Sequence, residues 1–361
     1  MKTSLCSLFA VATLASSGLA FAQEAQNGPA KPMFAVLPRK ILGTPVGEVA
    51  GLPTWNGSFV YRGTTYTYNM VGAAPSTNTS VTVQPYIIPL KIIITKGTKT
   101  TTFDAEHVLS NGRTVIQNTI DSPIFDSTTN YTQGGVNLGT TQYIDAFQRG
   151  NFWGTVSTNT SYHLLLGTPK IAPEQTLKPP ASDGTTGNPF GNLTVAEVDI
   201  DWFDTQIQSI MKTLKIPANS IPIFVTYDTY LTEGGCCIGG YHSAFTDTAG
   251  TIAYSNFEYI DKPGDFSQDV SALSHELGEW ANDPLIANIN GNQTPCGILE
   301  VGDPLEGDVN YGGFPYTVNG FTYNLQDMVF LPYFDAPKST SVNGWLSFQN
   351  NTTISPCSNG S

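Results

Sequence analysis

The stretch Ser274-His275-Glu276-Leu277-Gly278-Glu279-Trp280-Ala281-Asn282-Asp283-Pro284 decides how this chain is interpreted. It holds one of only four histidines in 361 residues, and its apolar positions predict a buried helix that ends before the proline. Residues i and i+4 share a face of an α-helix, so His275 and Glu279 are expected to bind one metal ion from the same side. Glu276 would then face a water molecule on that ion. The layout is that of the H-E-x-x-H metalloprotease helix, with a glutamate in place of the second histidine.

The third metal ligand is expected on the segment that follows this helix. A catalytic zinc site takes three protein ligands and leaves a fourth position for water. Glu300 is the predicted third ligand, and Asp303 the acceptor for the free ring nitrogen of His275. The reverse assignment, with Asp303 as the ligand, stays open. His242 is a further candidate, either as a ligand or as a donor to an oxyanion, and Tyr241 is a candidate for the second role.

Zn²⁺ is the predicted cofactor, and Ca²⁺ is the alternative. The segment after the helix is rich in carboxyl groups, and calcium favours oxygen ligands. These groups belong to Glu300, Asp303, Glu306 and Asp308. A buried cluster of one histidine and two glutamates needs a compensating cation or bound protons, which favours a metal of some kind. His107 and His163 lack a partner at helical ligand spacing, and we interpret them as core or surface residues.

Residues 1–22 predict a secretory signal peptide. Lys2 supplies the positive start, Leu5 to Ala20 form an apolar run, and Ala20-Phe21-Ala22 is a small-x-small cleavage site. The run is short for a bilayer, which needs roughly 20 apolar residues, and no second candidate follows. We therefore expect a secreted or periplasmic protein without a membrane span.

The charge of the chain argues against nucleic acid as a partner. The formal net charge is −13, with 16 lysines and arginines, and basic clusters are absent from the sequence. Binding to a phosphate backbone needs such clusters. Charged residues make up 12% of the chain, about half the usual fraction, which is typical of a secreted, β-rich protein.

The cysteines predict disulfide bonds. Removal of the signal leaves Cys236, Cys237, Cys296 and Cys357, an even number in an oxidising compartment. Four cysteines allow three pairings. We expect Cys236 and Cys237 to bridge separately to the other two, because a bridge between neighbouring residues is strained.

The pattern along the chain predicts two structured regions after a leader or linker at residues 23–58. A β-rich N-terminal region is predicted at 59–180, and a zincin-like domain that carries the motif helix at 181–361. The predicted elements of the second half are helices over 194–214 and 266–282, strands over 221–227 and 251–256, and a glycine-rich loop around His242. This order is that of a zincin-type catalytic half, so the predicted fold class is α+β.

The motif stretch and the later Glu300-Val301-Gly302-Asp303 together resemble the exordium-type (phosphate-induced) secreted proteins and related bacterial zincin-like, metalloprotease-like proteins. The glycine-rich Gly239-Gly240-Tyr241-His242 is similar to a histidine-bearing loop in that family. The likeness covers roughly residues 195 to 310 and departs from the family at Leu305, where a cysteine is expected. The resemblance implies a zincin-like metal site.

Together these patterns predict a secreted zinc-dependent hydrolase, most simply a peptidase acting on a peptide or protein. Glu276 would serve as general base, with His242 or Tyr241 at the oxyanion. The alternative is a non-catalytic secreted protein that keeps a zincin-like scaffold and binds a polysaccharide or another cell-surface ligand. The threonine- and asparagine-rich surface and the many aromatic residues favour that alternative.

Overall fold

The computed structural model describes residues 33–36, 51–61, 63–191, 193–247, 250–286, 299–307, 309–330, 341–342 and 345–349. The predicted signal at 1–22 lies outside these ranges. The part of the predicted leader that is described forms strands, one at Met33–Val36 and one that begins at Thr54.

Strands are the main element of the described residues. In chain order they are β1 Met33–Val36, β2 Thr54–Tyr61, β3 Thr64–Val71, β4 Ser80–Lys96, β5 Lys99–Asp104, β6 Asn130–Gln133, β7 Val136–Thr140, β8 His163–Leu166, β9 Lys170–Ile171, β10 Gln175–Leu177, β11 Gly184–Gly187, β12 Val195–Asp199, β13 Ser220–Tyr227, β14 Thr229–Thr232, β15 Cys236–Asp247, β16 Gly250–Tyr259, β17 Gly313–Val318, β18 Phe321–Gln326, β19 Val329–Phe330, β20 Ser341–Val342 and β21 Trp345–Ser347.

Five α-helices accompany these strands in the described part of the chain: α1 Val115–Ile120, α2 Tyr143–Asn151, α3 Trp153–Val156, α4 Ile200–Leu214 and α5 Ser271–Asn282. The predicted α+β class with a zincin-like half is therefore wrong, because the protein is mostly β and is built on one large mixed sheet. None of the helices in the described ranges is long and apolar enough to cross a membrane.

The central sheet has 12 strands, and its main path runs β10-β4-β13-β16-β15-β14-β12-β11. Strands β4, β13 and β16 are parallel, whereas β15 runs antiparallel to β16. Strand β1 adds to β15, and β5, β8 and β9 add to β4. Strands from both sides of the predicted boundary between residues 180 and 181, such as β4 and β13, thus pair in the same sheet.

The sheet separates two apolar cores. On one face α4 contributes Phe203, Ile207 and Met211, and on the other α5 contributes Leu273, Leu277 and Trp280. Side chains alternate between the faces of a strand, so neighbouring residues of one strand serve different cores. Burial of a side chain such as Leu277, which is fully enclosed, contributes about 2 kcal/mol.

Two local predictions fail for the same reason, because strand pairing overrides the helical and loop patterns. The predicted helix at 194–214 begins with strand β12, which pairs with β11 and β14. The helix starts only after Asp199, whose side chain accepts a hydrogen bond from the Trp202 backbone N–H at 2.9 Å and caps it. The predicted glycine-rich loop around His242 lies within strand β15.

Helix α5 begins later than the predicted 266–282. Ser267 and Asp269 have φ values of 62° and 45°, so the chain before the helix turns through left-handed conformations. The Ser267 hydroxyl donates to the backbone oxygens of Gly239 and Glu258 instead of capping a helix. The sequence predicts Ser267 or Asp265 as the N-terminal cap of this helix, and that prediction is wrong because the helix begins at Ser271. The first helical residue is Ser271, and no side chain caps that end.

Candidate metal centre

Three elements bring six ionisable side chains together, which we call the carboxylate–imidazole cluster. Helix α5 contributes three, strand β15 contributes one, and the segment after residue 298 contributes two, the second at the start of a 3-10 turn. The members are His242, His275, Glu276, Glu279, Glu300 and Asp303. Because α5 packs against β15 and β16, its polar face points at the strand that carries His242.

The two imidazoles of the cluster are surrounded by carboxylates. His275 Nε2 lies 3.0 Å from Glu279 Oε1 and 3.4 Å from Asp303 Oδ1. His242 Nδ1 lies 3.2 Å from Glu276 Oε2 and 3.6 Å from Glu279 Oε2. On the other side of the ring, His242 Nε2 lies 3.9 Å from Glu300 Oε2. The i and i+4 pair predicted on the motif helix is thus present, with both side chains on one face.

Three of these separations are too long for hydrogen bonds, whereas His242 Nδ1 and Glu276 Oε2, 3.2 Å apart, are within hydrogen-bond distance. An N–H···O bond spans about 2.7–3.2 Å, so the contacts at 3.4, 3.6 and 3.9 Å are too long. Two ligands that each lie roughly 2.0–2.1 Å from a tetrahedral zinc are about 3.4 Å apart. Three groups of described residues have ligand atoms within 4.8 Å of one another: His242, Glu279 and Glu300; His275, Glu276 and Glu279; and His275, Asp303 and Glu306.

Burial makes the cluster electrostatically costly. His242, His275 and Glu276 are fully buried, Glu279 nearly so, and the Glu300 side chain is 13% exposed. Burial raises the pKa of Glu276, Glu279 and Glu300 well above the ordinary value, and neighbouring carboxylates add to each shift. Without a cation, these groups are stable only when they hold protons.

His242 responds to burial in the opposite sense. Burial, followed by the nearby His275, lowers the pKa of His242 to about 3. A neutral imidazole is the form that binds a metal ion. The buried oxygen Glu276 Oε1 has no hydrogen-bond partner among the described residues, and neither does Glu300 Oε2. Buried polar atoms in native proteins nearly always have a partner, so these two oxygens point to a ligand.

The structure distinguishes between the two predicted roles of Asp303. An acceptor that fixes the imidazole would face the ring nitrogen away from the metal. Asp303 instead faces Nε2, the same nitrogen that faces Glu279. This placement favours the reverse assignment, in which Asp303 is a ligand. Its side chain is 45% exposed, so the cluster is most open to solvent at this residue.

Tyr241 does not reach the cluster. Neighbouring residues of a strand point to opposite faces, and Tyr241 faces α4, where its hydroxyl donates to Asp204 Oδ1 at 3.0 Å. We therefore assign it no part in the chemistry of the cluster. His242 faces the cluster directly, as either of its two predicted roles requires.

Two glycines were missed as site residues, although both lie in stretches that the sequence had singled out. An added Cβ at Gly302 would come within 2.2 Å of His275 Nδ1, and one at Gly240 within 2.8 Å of Glu276 Oε1. The absence of a side chain at these glycines lets the backbone lie close to the cluster. Their position next to the predicted ligands is the sequence feature that could have identified them.

The other two histidines lie outside the cluster, as predicted. His107 is exposed and stacks on Tyr227, with ring centroids 4.6 Å apart. His163 is partly buried, with Nδ1 2.8 Å from Asp145 Oδ2.

The expected pairing of the cysteines stays a prediction. Cys236 and Cys237 lie within disulfide distance of each other. Cys296 and Cys357 lie outside the described residues.

No known protein family, curated protein or solved structure matches this chain. The resemblance to the exordium-type proteins therefore stays a prediction.

Proposed function

We propose that this protein is an exported, metal-dependent hydrolase that binds zinc at the carboxylate–imidazole cluster and cleaves peptide substrates. The observation that carries the proposal is the convergence of two buried imidazoles and four carboxyl groups, with contacts of 3.0 to 3.9 Å between them. Export is inferred from the signal-like residues 1–22.

The choice of zinc follows from the donor set. Imidazole nitrogens suit zinc and other transition metals, whereas calcium and magnesium favour sites built from oxygens alone. Both imidazoles of the cluster lie among carboxylates, so a calcium ion would leave two nitrogen donors unused. The cluster therefore supports zinc over the calcium alternative.

The side chains of the cluster divide into ligands and a base. Zinc in such a site lowers the pKa of a bound water and polarises a carbonyl oxygen. His275 supplies a ligand nitrogen, and its Nε2 faces two candidate carboxylate ligands, Glu279 and Asp303. Glu276, one residue round the helix, is the general base that takes a proton from water and passes it to the leaving group.

The test is the Glu276→Gln variant of the chain from residue 23 onwards. Wild-type and variant proteins are loaded with zinc, and cleavage of casein and of a fluorogenic peptide library is measured with and without a chelator. Loss of a general base costs about 100- to 10,000-fold in rate, whereas zinc content should stay at the wild-type level. His107→Gln is the matched control, because it alters a histidine outside the cluster. Full turnover by Glu276→Gln would refute the assigned role.

A second candidate function is a non-catalytic, metal-binding secreted protein. One observation favours it: His242, His275 and Glu276 have no solvent exposure, as is common for structural metal sites. Stoichiometric zinc without cleavage of any substrate would support this candidate over the hydrolase.

A further inference from the structure

Glu279 occupies the centre of the cluster and faces both imidazoles with different oxygen atoms. Its Oε1 lies 3.0 Å from His275 Nε2, and its Oε2 lies 3.6 Å from His242 Nδ1. The Gly302 backbone N–H donates to Oε1 at 3.1 Å and fixes the plane of the carboxylate. A carboxylate held in this way presents one oxygen to each of two binding positions.

The two imidazoles belong to separate ligand groups. His242 groups with Glu279 and Glu300, whereas His275 groups with Asp303 and Glu306 and, separately, with Glu276 and Glu279. Among the described residues, no group with all ligand atoms within 4.8 Å contains both histidines. Two ligands of one zinc ion lie at most about 4.2 Å apart, twice the zinc–ligand distance. The ligand groups of the described residues therefore assign the two imidazoles to different positions.

We propose that the cluster binds two divalent cations bridged by Glu279. The first position lies between His275 and Glu279, whose Nε2 and Oε1 atoms are 3.0 Å apart, and the second lies among His242, Glu300 and Glu279. This inference rests on the proposed metal-dependent function and adds the number of ions and their ligands. Glu276 lies beside both positions, and its buried Oε1 has no partner in the described part of the chain.

The charge of the cluster supports two ions rather than one. Glu276, Glu279, Glu300 and Asp303 carry four negative charges when ionised, and two divalent cations carry four positive charges. Glu276, Glu279 and Glu300 are largely buried, so with a single divalent ion at least one of these three would have to hold a proton or stay uncompensated. In hydrolases with two metals about 3.5–4 Å apart, the pair stabilises both the attacking and the leaving oxygen.

The first experiment counts the ions. The chain is stripped with a chelator, loaded with Zn²⁺, freed of excess metal on a desalting column, and its zinc content per chain is measured by elemental analysis. Two equivalents support the proposal. One equivalent overturns it while leaving the proposed metal-dependent function intact, and no retained zinc overturns both.

The second experiment assigns the positions. His242→Ala and His275→Ala should each lower the zinc content from two equivalents to one, and Glu279→Ala should lower it further. His107→Gln, outside the cluster, should retain two. Circular dichroism shows which variants fold. If His242→Ala and His275→Ala fold and both retain two equivalents, the ligand assignment is wrong.

A spectroscopic measurement on the unaltered chain covers the case in which variants do not fold. Mn²⁺ is titrated into the stripped protein, and its electron paramagnetic resonance signal is followed. Two ions that share a carboxylate bridge are magnetically coupled, so the signal per ion should fall as the second equivalent binds. A signal that stays proportional to bound Mn²⁺ through two equivalents would overturn the bridge.

Discussion

The two faces of strand β15 each bury a polar cluster, and the clusters differ in how their charge is balanced. Behind Tyr241, the fully buried Asp204 accepts hydrogen bonds from the hydroxyls of Tyr241 and Tyr254 and from Gln208 Nε2 at 2.7 Å. Beside it, His242 faces the other way, into a group of carboxylates that has few donors. A lone carboxylate with three donors is a complete structural unit.

The difference teaches that burial alone does not mark a functional site. In the Asp204 cluster donors match acceptors, and its pKa shifts follow from enclosure: burial, together with Asp204, raises the pKa of Tyr241 well above its ordinary value. In the carboxylate–imidazole cluster acceptors outnumber donors, and one oxygen of each of two carboxylates, Glu276 Oε1 and Glu300 Oε2, has no hydrogen-bond partner among the described residues. Unsatisfied buried acceptors distinguish the carboxylate–imidazole cluster from the Asp204 cluster.

Removal of metal should therefore have the largest effect on the free energy of unfolding, and it should act through the carboxylate–imidazole cluster only. A ligand present at a thousand times its Kd stabilises the folded state by about 4 kcal/mol, so a chelator should lower the free energy of unfolding by that order. Denaturant unfolding of zinc-loaded and stripped protein measures the change. Readdition of Zn²⁺ should restore stability, and Mg²⁺ should not. Equal stability of the two forms would remove the claim that the cluster needs a cation.

The sequence was sufficient to find one cluster and not the other. His275 and Glu279 sit four residues apart in an apolar stretch, and that local spacing depends only on helix geometry. The Asp204 cluster joins residues from α4, β15 and β16. These elements are far apart in the chain, so no local sequence pattern predicts the cluster. The same limit applies to Tyr241 and His242, whose opposite directions follow from strand alternation in a segment predicted to be a loop.

The fold was harder to predict than the site, because strand pairing is a non-local effect. Val195–Asp199 has apolar residues that suit either a helix or a strand, and its pairing with β11 and β14 decides the outcome. Gly239 and Gly240 suggested a loop, yet an added Cβ at Gly239 would lie 2.7 Å from the Phe266 ring. Their role is close packing within a strand, which depends on partners distant in sequence.

Removal of Asp204 should have the next largest effect, this time without any change in metal binding. Asp204→Ala leaves two buried tyrosine hydroxyls without their acceptor, which should lower the free energy of unfolding by about 3 kcal/mol. Asp204→Asn retains an acceptor oxygen and should cost less. Denaturant unfolding and elemental analysis measure the two quantities. If a folded Asp204→Ala protein lost its zinc, the two faces of β15 would not be independent.

A smaller effect is expected from Gly302→Ala, which crowds the cluster without removing a ligand. The backbone of Gly302 is in the right-handed helical region, with φ −88° and ψ −33°, so alanine is not strained there. Its Cβ would, however, come within 2.2 Å of His275 Nδ1 and displace the ring. Displacement of a ligand by its surroundings weakens metal binding about 10- to 100-fold.

Competition with a zinc-sensitive dye measures the affinity of Gly302→Ala. Gly307→Ala is the matched control, since an added Cβ there meets nothing within 4 Å. Unchanged affinity in Gly302→Ala would show that His275 is free to move, and hence that its present position does not define the site.

The smallest effect should come from Tyr241→Phe, which removes one hydroxyl from the Asp204 cluster. Asp204 keeps Tyr254 and Gln208 as donors, so the loss of one hydrogen bond should cost about 1 kcal/mol in the free energy of unfolding. Zinc content and the rate of hydrolysis should stay at wild-type values, because the hydroxyl lies behind the strand. His242→Ala, one residue along, should retain less zinc. A large loss of hydrolysis in a stable, zinc-loaded Tyr241→Phe protein would contradict this expectation. It would support Tyr241 as an oxyanion donor and would require β15 to change conformation during the reaction.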